Sequence, residues 1–353
     1  MSLQNPLVSV VMPVYNADEY LAEAIESILN QIFEDLEFII ICDDPSDKTR
    51  EIIDKYQRTD NRIIVLYQKK EGLVASLNKG CFVAKGKYIA RMDADDISDT
   101  SRFEKQLNFL ELHPDVGVIG TYMEEIDENG NPNPLSTFKP PLEHDLIAWH
   151  MLFDCCVVAH PTVMVRRTLL DRVGGYNPHF IHIEDAELWS RLVFITQFSN
   201  LPEFLFSRRW HKNSICNQHA DIQLETSIRI RLKLLERILQ KGVDEKDAKV
   251  FFSVWSKKER INTKNVLLIE TLMQELYEAF KKNSLKNKKN LPQIRRDIIN
   301  QLFNLIHPSM GFLEFFSIIK IGLKIDLMMT LYKIIQVVYL HKIDIFVWLS
   351  RRN

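Results

Sequence analysis

Three carboxylates crowd the segment Asp93-Ala94-Asp95-Asp96, directly after the apolar run Lys87–Met92, and Asp99 lies just beyond. Two unit charges 4 Å apart repel by about 1 kcal/mol in water and about 4 kcal/mol at an effective dielectric of 20. Such a cluster favours a bound cation or a shared proton. Carboxylate oxygens suit Mg2+ or Mn2+, and Mg2+ commonly takes one or two protein carboxylates plus substrate phosphates. The plainer alternative is a solvated acidic turn, with Asp99 capping a helix that starts near Ser101. Two further acidic pairs stand at comparable places. Asp43-Asp44 closes another apolar run, and Glu184-Asp185 opens a helical pattern. There the acids either complement the helix dipole or supply a general base to a hydroxyl within hydrogen-bond reach.

The elements that must hold these groups are legible in the N-terminal third. Leu7–Tyr15, Glu37–Asp44, Arg62–Gln68 and Lys87–Met92 are nearly continuous apolar runs, the pattern of strands buried on both faces. Between them lie helical patterns at Ala17–Ile32, Ser46–Gln57 and Leu73–Gly86, the second opened by Ser46 or Asp47 and the third stopped at Gly86. Val116–Asp127 predicts a fifth strand. This alternation predicts an α/β fold with a doubly wound, mostly parallel sheet and helices on both faces. Ligands of such sheets sit outside the carboxyl ends of the strands, where Tyr15, Asp43-Asp44 and Asp93-Ala94-Asp95 all fall. Asn129–Pro134 reads as a turn-rich break. Beyond it, Pro141–Phe153 and Glu184–Phe194 look helical, and Pro161–Arg167 and Glu203–His211 look like strands. From about Asp221 the chain reads as mostly helical.

The totals narrow the function. The 353 residues carry 45 Lys and Arg against 47 Asp and Glu, so no overall basic field invites nucleic acid. The basic stretch Lys281–Asn290 lacks interleaved aromatics and reads as a solvated loop. Five scattered cysteines form no C-x-x-C pair, which argues for reduced thiols in a reducing compartment. No signal-peptide pattern opens the chain, and no apolar run reaches the ~18 residues of a spanning helix. A cytoplasmic protein, at most peripheral at the inner face of a plasma membrane, is expected. No G-x-x-x-x-G-K-[ST] occurs, which disfavours a P-loop NTPase. The "HIE" at His182–Glu184 has no P-C-x-x-C partner for a zinc deaminase.

Four motifs in order, "VSVVMPVYN", "IICDDPSDKT", the G-x-x-x-S-L-N-x-G of Gly72–Gly80 and "GKYIARMDADD", resemble the N-terminal half of family-2 glycosyltransferases. The resemblance runs from about Val8 to Ser214. It implies the GT-A fold, with residues 1–217 as the transferase domain, a nucleotide-binding half over 1–128 and an acceptor half over 129–217. Residues 218–353 are then a mainly helical C-terminal region. By the same resemblance Pro13, Val14 and Tyr15 border the base. Asp43 and Asp44 meet base and ribose, and Gly72, Asn78 and Lys79 cross the nucleotide. Asp93 and Asp95, with Ala94 between them, form the D-x-D that holds Mn2+ or Mg2+ on the donor diphosphate. Pro45-Ser46 departs from the small Gly-Ser turn usual after the paired acids.

"HIEDAELWSRL" resembles the family's E-D motif, in which the Asp, here Asp185, is the general base and Glu184 orients it or binds an acceptor hydroxyl. "RRWHKNSI" resembles a segment that reaches the diphosphate or its metal. His211 is the candidate ligand there, and Arg208 or Arg209 the candidate phosphate partner. "GGYNP" at Gly174–Pro178 resembles a loop near the donor sugar. The implied activity is inverting transfer from a nucleotide-sugar, UDP-linked by preference, to a hydroxyl of a glycan or lipid-linked acceptor in bacterial surface polysaccharide synthesis. The rival readings are a sugar-nucleotide binding protein without transfer activity and a nucleotidyltransferase. The latter is expected to carry a glycine-rich basic loop that "PVYNADEY" does not supply. The apolar C-terminal stretch from Met310, interrupted by Lys320, Lys324 and Lys333, is either packed helical core or a patch for an anionic membrane or another subunit, so peripheral membrane contact and a homo-oligomer both stand as expectations.

Overall fold

The computed structural model describes residues 5–15, 17–154, 157–210, 220–256, 258–283, 290–305 and 312–340. The chain divides into two compact units, Met1–Ile230 and Arg231–Asn353.

The first unit is built on the apolar runs. β1 (Val8–Val14), β2 (Leu36–Asp43), β3 (Ile63–Gln68) and β4 (Tyr88–Arg91) pair in parallel in the order 3-2-1-4. β1 and β2 are almost wholly buried because both faces are covered. Val10 and Met12 join a core with Leu21, Ile25 and Ile28 of α1 (Leu21–Leu29). On the other face α3 (Leu73–Val83) packs closely enough that a Cβ at Gly80 would stand 2.5 Å from Val11 and 2.7 Å from Ile41. Each fully buried aliphatic side chain of this kind contributes about 1.5–3 kcal/mol over an exposed one. α2 (Asp47–Thr59) links β2 to β3, and Ser46 caps it by accepting the Thr49 N–H at 3.1 Å.

The chain steps outward from β1 to β2 to β3, then returns across the sheet to lay β4 on the other side of β1. That reversal puts a topological switch point at the carboxyl ends of β1 and β4, the place where doubly wound sheets bind ligands. A buried knot sets the return. Ser9 donates to Glu37 across the β1–β2 pair at 2.6 Å, Glu37 accepts the Lys85 N–H at 2.6 Å, and Ser9 Oγ accepts the Gly86 N–H at 2.8 Å. A side chain at Gly86 would meet the Ser9 backbone N at 2.6 Å, so the turn into β4 requires glycine.

Beyond β4 the sheet becomes mixed. β8 (Met164–Arg166) runs antiparallel to both β4 and β6 (Val116–Ile126). β9 (Gln197–Arg209) pairs with β6 in parallel, and β5 (Ile97–Ser98) closes that edge. The helices here are α4 (Arg102–Leu112), α5 (His144–Met151), α6 (Arg167–Val173) and α7 (Glu184–Leu192), with a 3-10 turn at His160–Thr162. The predicted break at Asn129–Pro134 is a hairpin into β7 (Pro132–Phe138). Asp127 Oδ1 accepts the N–H groups of Asn129 and Asn131 at 2.9 and 2.8 Å, which folds the turn locally. The first helix starts at Leu21 rather than Ala17, because Ala17–Tyr20 forms a preceding turn.

The second unit is helical. It holds the end of α8 (Ala220–Leu239), then α9 (Glu245–Trp255), α10 (Val266–Asn283), α11 (Leu291–Asn304), α12 (Phe312–Ile325) and α13 (Leu327–Leu340). Phe251, Ile269, Met273, Ile298, Leu302 and Ile318 are buried in it. Lys320 and Lys324 of the C-terminal stretch fold onto Glu270 of α10 at 2.8 and 3.5 Å. The basic stretch begins as the last turn of α10, and its residues 284–289 lie outside the described residues. No helix among the described residues is long and apolar enough to cross a membrane.

Candidate active site

The acidic segment follows β4 at the switch point. Met92 N–H bonds Val11 O at 3.1 Å, so the chain leaves the sheet beside β1. The next residues turn their carboxylates toward one another, and ligand atoms of Asp93, Asp95 and Asp96 lie within 4.8 Å of each other. Asp93 and Asp95 are half-buried and Asp96 is buried. Burial raises the carboxyl pKa of Asp93 and raises that of Asp96 further, where the charges of Asp93 and Asp95 add to it. Both groups therefore call for a proton or a cation, and an all-oxygen donor set of this size fits Mg2+ or Mn2+. Asp99 lies apart, exposed, bonding Ser101 N at 2.9 Å and Ser101 Oγ at 2.6 Å in a local turn.

Two buried arginines shape this cluster. Arg91, the last residue of β4, forms an ion pair with Asp93. Arg209, at the end of β9, gives its backbone N–H to Asp96 Oδ1 at 2.8 Å and its Nε to Asp95 O at 3.1 Å. Its Nη1 reaches the carbonyls of Asp127 and Glu128 at 3.2 Å, its Nη2 reaches Glu23 at 2.6 Å, and its guanidinium covers the Tyr20 ring. Arg208 pairs with Glu125 at 2.8 Å.

The Glu184–Asp185 pair opens α7 as predicted. Glu184 is 5% exposed, and its Oε2 finds no hydrogen-bond partner among the described residues. Burial, with help from the charge of Asp185, pushes its pKa up to about 7. Burial also raises Asp185, which stays half-buried and accepts the Ala186 N–H at 2.7 Å. The charges of Arg91 and Asp93 act on both acids, so the strand-end cluster and the start of α7 belong to one electrostatic site.

Behind the pair lies a chain of polar contacts that the motifs do not reveal. His160 Nδ1 stands 4.0 Å from Glu184 Oε1, and its Nε2 bonds the Tyr176 hydroxyl at 2.8 Å. Burial holds His160 neutral and keeps Tyr176 protonated. The backbone of Tyr176 is clamped at both ends by Asn78 of α3, which donates to Tyr176 O and accepts Tyr176 N–H, each at 2.8 Å. Gly175 has a φ of +70°, and a Cβ there would stand 2.5 Å from Asn78 Oδ1, so the loop needs glycine for two reasons. Arg191 of α7 secures the same loop with 2.7 Å bonds to Val173 O and Gly175 O.

The remaining expected residues line the edge but differ in what they leave available. Pro13 and Val14 end β1, and Tyr15 is exposed with Lys70 Nζ donating to its hydroxyl at 2.7 Å. Asp43 is buried and committed to the chain. It accepts Glu71 N–H, Gly72 N–H and the Gln68 amide at 2.8–3.0 Å, which fixes the entry to α3 at Gly72 (φ +89°). Asp44 is exposed in a left-handed conformation (φ +54°). Lys79 Nζ approaches Tyr67 O at 3.5 Å, and Ala94 is buried between the two acids. His211 lies outside the described residues. Of the supporting residues, Asn78, Arg91, Tyr176, Arg191 and Arg209 lie within the motifs quoted above, whereas His160 carried no sequence signal.

The comparisons with known proteins point the same way. Residues 9–174 match the family model described as Glycosyl transferase family 2. An uncharacterized glycosyltransferase of Methanocaldococcus jannaschii is 39% identical over 211 residues, covering 59% of this chain and 72% of that protein. The O-antigen biosynthesis glycosyltransferase WbnJ of Escherichia coli is 34% identical over 213 residues, covering 59% and 81% respectively. The crystal structure of S. aureus TarS 1–349 in complex with UDP-GlcNAc shares the fold with a TM-score of 0.53 at 18% identity, over 85% of this chain and 81% of that one. The sheet, the acids at its switch point and these relatives agree, and the chain belongs to glycosyl transferase family 2.

Proposed function

We propose that this glycosyltransferase moves a sugar, with inversion, from a nucleotide-sugar donor to a hydroxyl of a glycan or lipid-linked acceptor in surface polysaccharide synthesis. The observation that carries the reading is the convergence of Asp93, Asp95 and Asp96 at the β1/β4 switch point within electrostatic reach of Asp185. Residues 1–217 are the catalytic domain in this reading. Tyr15 and the exposed Asp44 face the nucleoside, and Asp93 and Asp95 hold Mn2+ or Mg2+, with His211 as a further ligand. The cation supplies charge neutralisation to the departing diphosphate.

Asp185 does the proton chemistry. It accepts the proton of the acceptor hydroxyl as that oxygen bonds to the anomeric carbon. The bond from the anomeric carbon to the diphosphate breaks on the opposite face, so the configuration inverts and no covalent enzyme intermediate forms. Burial supports this role by raising the basicity of Asp185. The O-antigen relative supports the acceptor class. TarS binds UDP-GlcNAc, and UDP-sugars are the first donors to test.

Calorimetric titration of UDP, GDP and dTDP, with and without Mn2+, tests the proposal on the wild type and on Asp95→Ala. Metal-dependent binding of one nucleotide, lost in the variant, is expected. Binding of none, or binding indifferent to metal and to the substitution, overturns the reading.

A further inference from the structure

The near-neutral total hides a division of charge. Residues 1–230 carry 22 Lys and Arg against 35 Asp and Glu, a net −13, whereas residues 231–353 carry 23 against 12, a net +11. Such asymmetry between halves points to a polyanionic surface as the partner of the basic half. The basic unit also exposes an apolar stripe. Leu323, Leu327, Met328, Leu331 and Tyr332 are all exposed, Met328 by 75%. They follow at spacings of four, one, three and one around the corner at Asp326, where α12 gives way to α13.

The stripe is the outer face of a helix pair whose inner face is already filled. Ile318, Ile321, Ile325 and Thr330 are buried, and Gly322 lets the two helices approach so closely that a Cβ there would meet Thr330 Oγ1 at 2.7 Å. Cations edge the stripe. Exposed Lys320 and Lys324 share the single carboxylate of Glu270, leaving one positive charge in excess, and Lys333 shares α13 with the stripe. Asp326, the acid at the corner, is half-buried, caps α13 through the Met329 N–H at 3.0 Å and faces Arg295 at 3.9 Å.

We propose that the stripe Leu323–Leu327–Met328–Leu331–Tyr332 docks the C-terminal unit on an anionic phospholipid surface. An exposed apolar stripe on a basic helical unit, with no helix among its described residues long and apolar enough to span, matches the physics of interfacial association. Apolar side chains enter the headgroup boundary, and Tyr332 suits that boundary with an apolar ring and a polar tip. The net +11 supplies the attraction, and each cation close to the surface strengthens partitioning about fivefold. The same +11 on another copy's C-terminal unit repels, which disfavours self-pairing of this face. The inference stands independently of donor and acceptor.

Co-sedimentation of the full chain with sonicated vesicles tests it. Vesicles of equal phosphatidylglycerol and phosphatidylcholine should sediment the protein at low salt, and pure phosphatidylcholine should not. Met328→Glu/Leu331→Glu should weaken binding at least tenfold, with an unchanged circular dichroism spectrum because both side chains are exposed. Leu112→Glu, an exposed leucine of the first unit, should bind as the wild type does. Failure to bind the anionic vesicles overturns the proposal, as does undiminished binding by the double variant. A dimer in light scattering that the double variant converts to monomer would assign the stripe to a second copy and overturn it equally.

Discussion

Glu184→Gln should turn a pH-dependent weakness of the fold into a pH-independent one. The Glu184 carboxyl titrates near 7 in the folded protein, against an ordinary value of 4.5, because it is buried beside Asp185. Between those values the folded protein keeps a proton that the unfolded chain has lost, so stability falls as pH rises. The contribution is fully present below 4.5 and gone above about 7. At 1.36 kcal/mol per unit, the 2.5-unit difference is worth about 3 kcal/mol, of which roughly 2.5 kcal/mol disappears between pH 5 and pH 8. Glutamine has nearly the same shape and never ionises. Urea unfolding, followed through the buried Trp149 and Trp189 in metal-free buffer, measures the effect at both pH values. Subtracting wild type from variant cancels the titrating groups that do not interact with Glu184, which leaves Glu184 and its neighbour Asp185. The variant should gain about 2.5 kcal/mol on the wild type between pH 5 and pH 8. Parallel pH dependences, within about 0.5 kcal/mol, would refute the placement of Glu184 as a buried, proton-holding acid.

Two positioning contacts give further expectations. Asn78→Ala removes both 2.8 Å bonds on the Tyr176 backbone, worth about 1 kcal/mol each. The thermal midpoint of the first unit should fall by about 4–8 °C, and a fall of less than 1 °C would contradict the clamp. Arg209→Lys keeps a charge for Glu23 but gives up the fork that reaches Asp95 O, Asp127 O and Glu128 O. Amide exchange over residues 93–96 should quicken at least tenfold, and unchanged exchange would show that β9 does not hold the acidic segment.

The parts of this molecule that could be read from sequence are those whose cause is local. β1, β2 and β4 are legible because strands buried on both faces admit almost nothing but apolar residues. Asp93 and Asp95 are legible because carboxylates at the end of such a strand need a reason. β5 has only two residues, too short for any period to show, whereas β8 falls inside the strand read at Pro161–Arg167. β7 is an exposed edge carrying two prolines, so its sequence looks like a break. Asn78 and Asp43 were recognisable as site residues, but their targets were not. Asn78 meets Tyr176 across 98 residues of chain, and Arg209 meets Asp95 across 114. A motif shows which groups are present at such distances and leaves open whether an oxygen faces a ligand or a backbone amide.

That distinction separates the acids of this site into two kinds. Asp43 and Asp96 are buried and bonded to backbone N–H groups, so they hold the loops that bring other residues to the edge. Asp93, Asp95 and Asp185 are only half-buried and retain access to a ligand. Arg91 stands between the groups. Its guanidinium pairs with Asp93, and its charge also lowers the pKa values of Glu184 and Asp185. The strand-end acids and the helix-start acids therefore share one counter-charge, although 91 residues separate Asp93 from Glu184. A change in charge at either end alters the field at the other. In the proposed reaction, the side that receives the diphosphate and the side that accepts the proton cannot be tuned independently, because one buried guanidinium serves both.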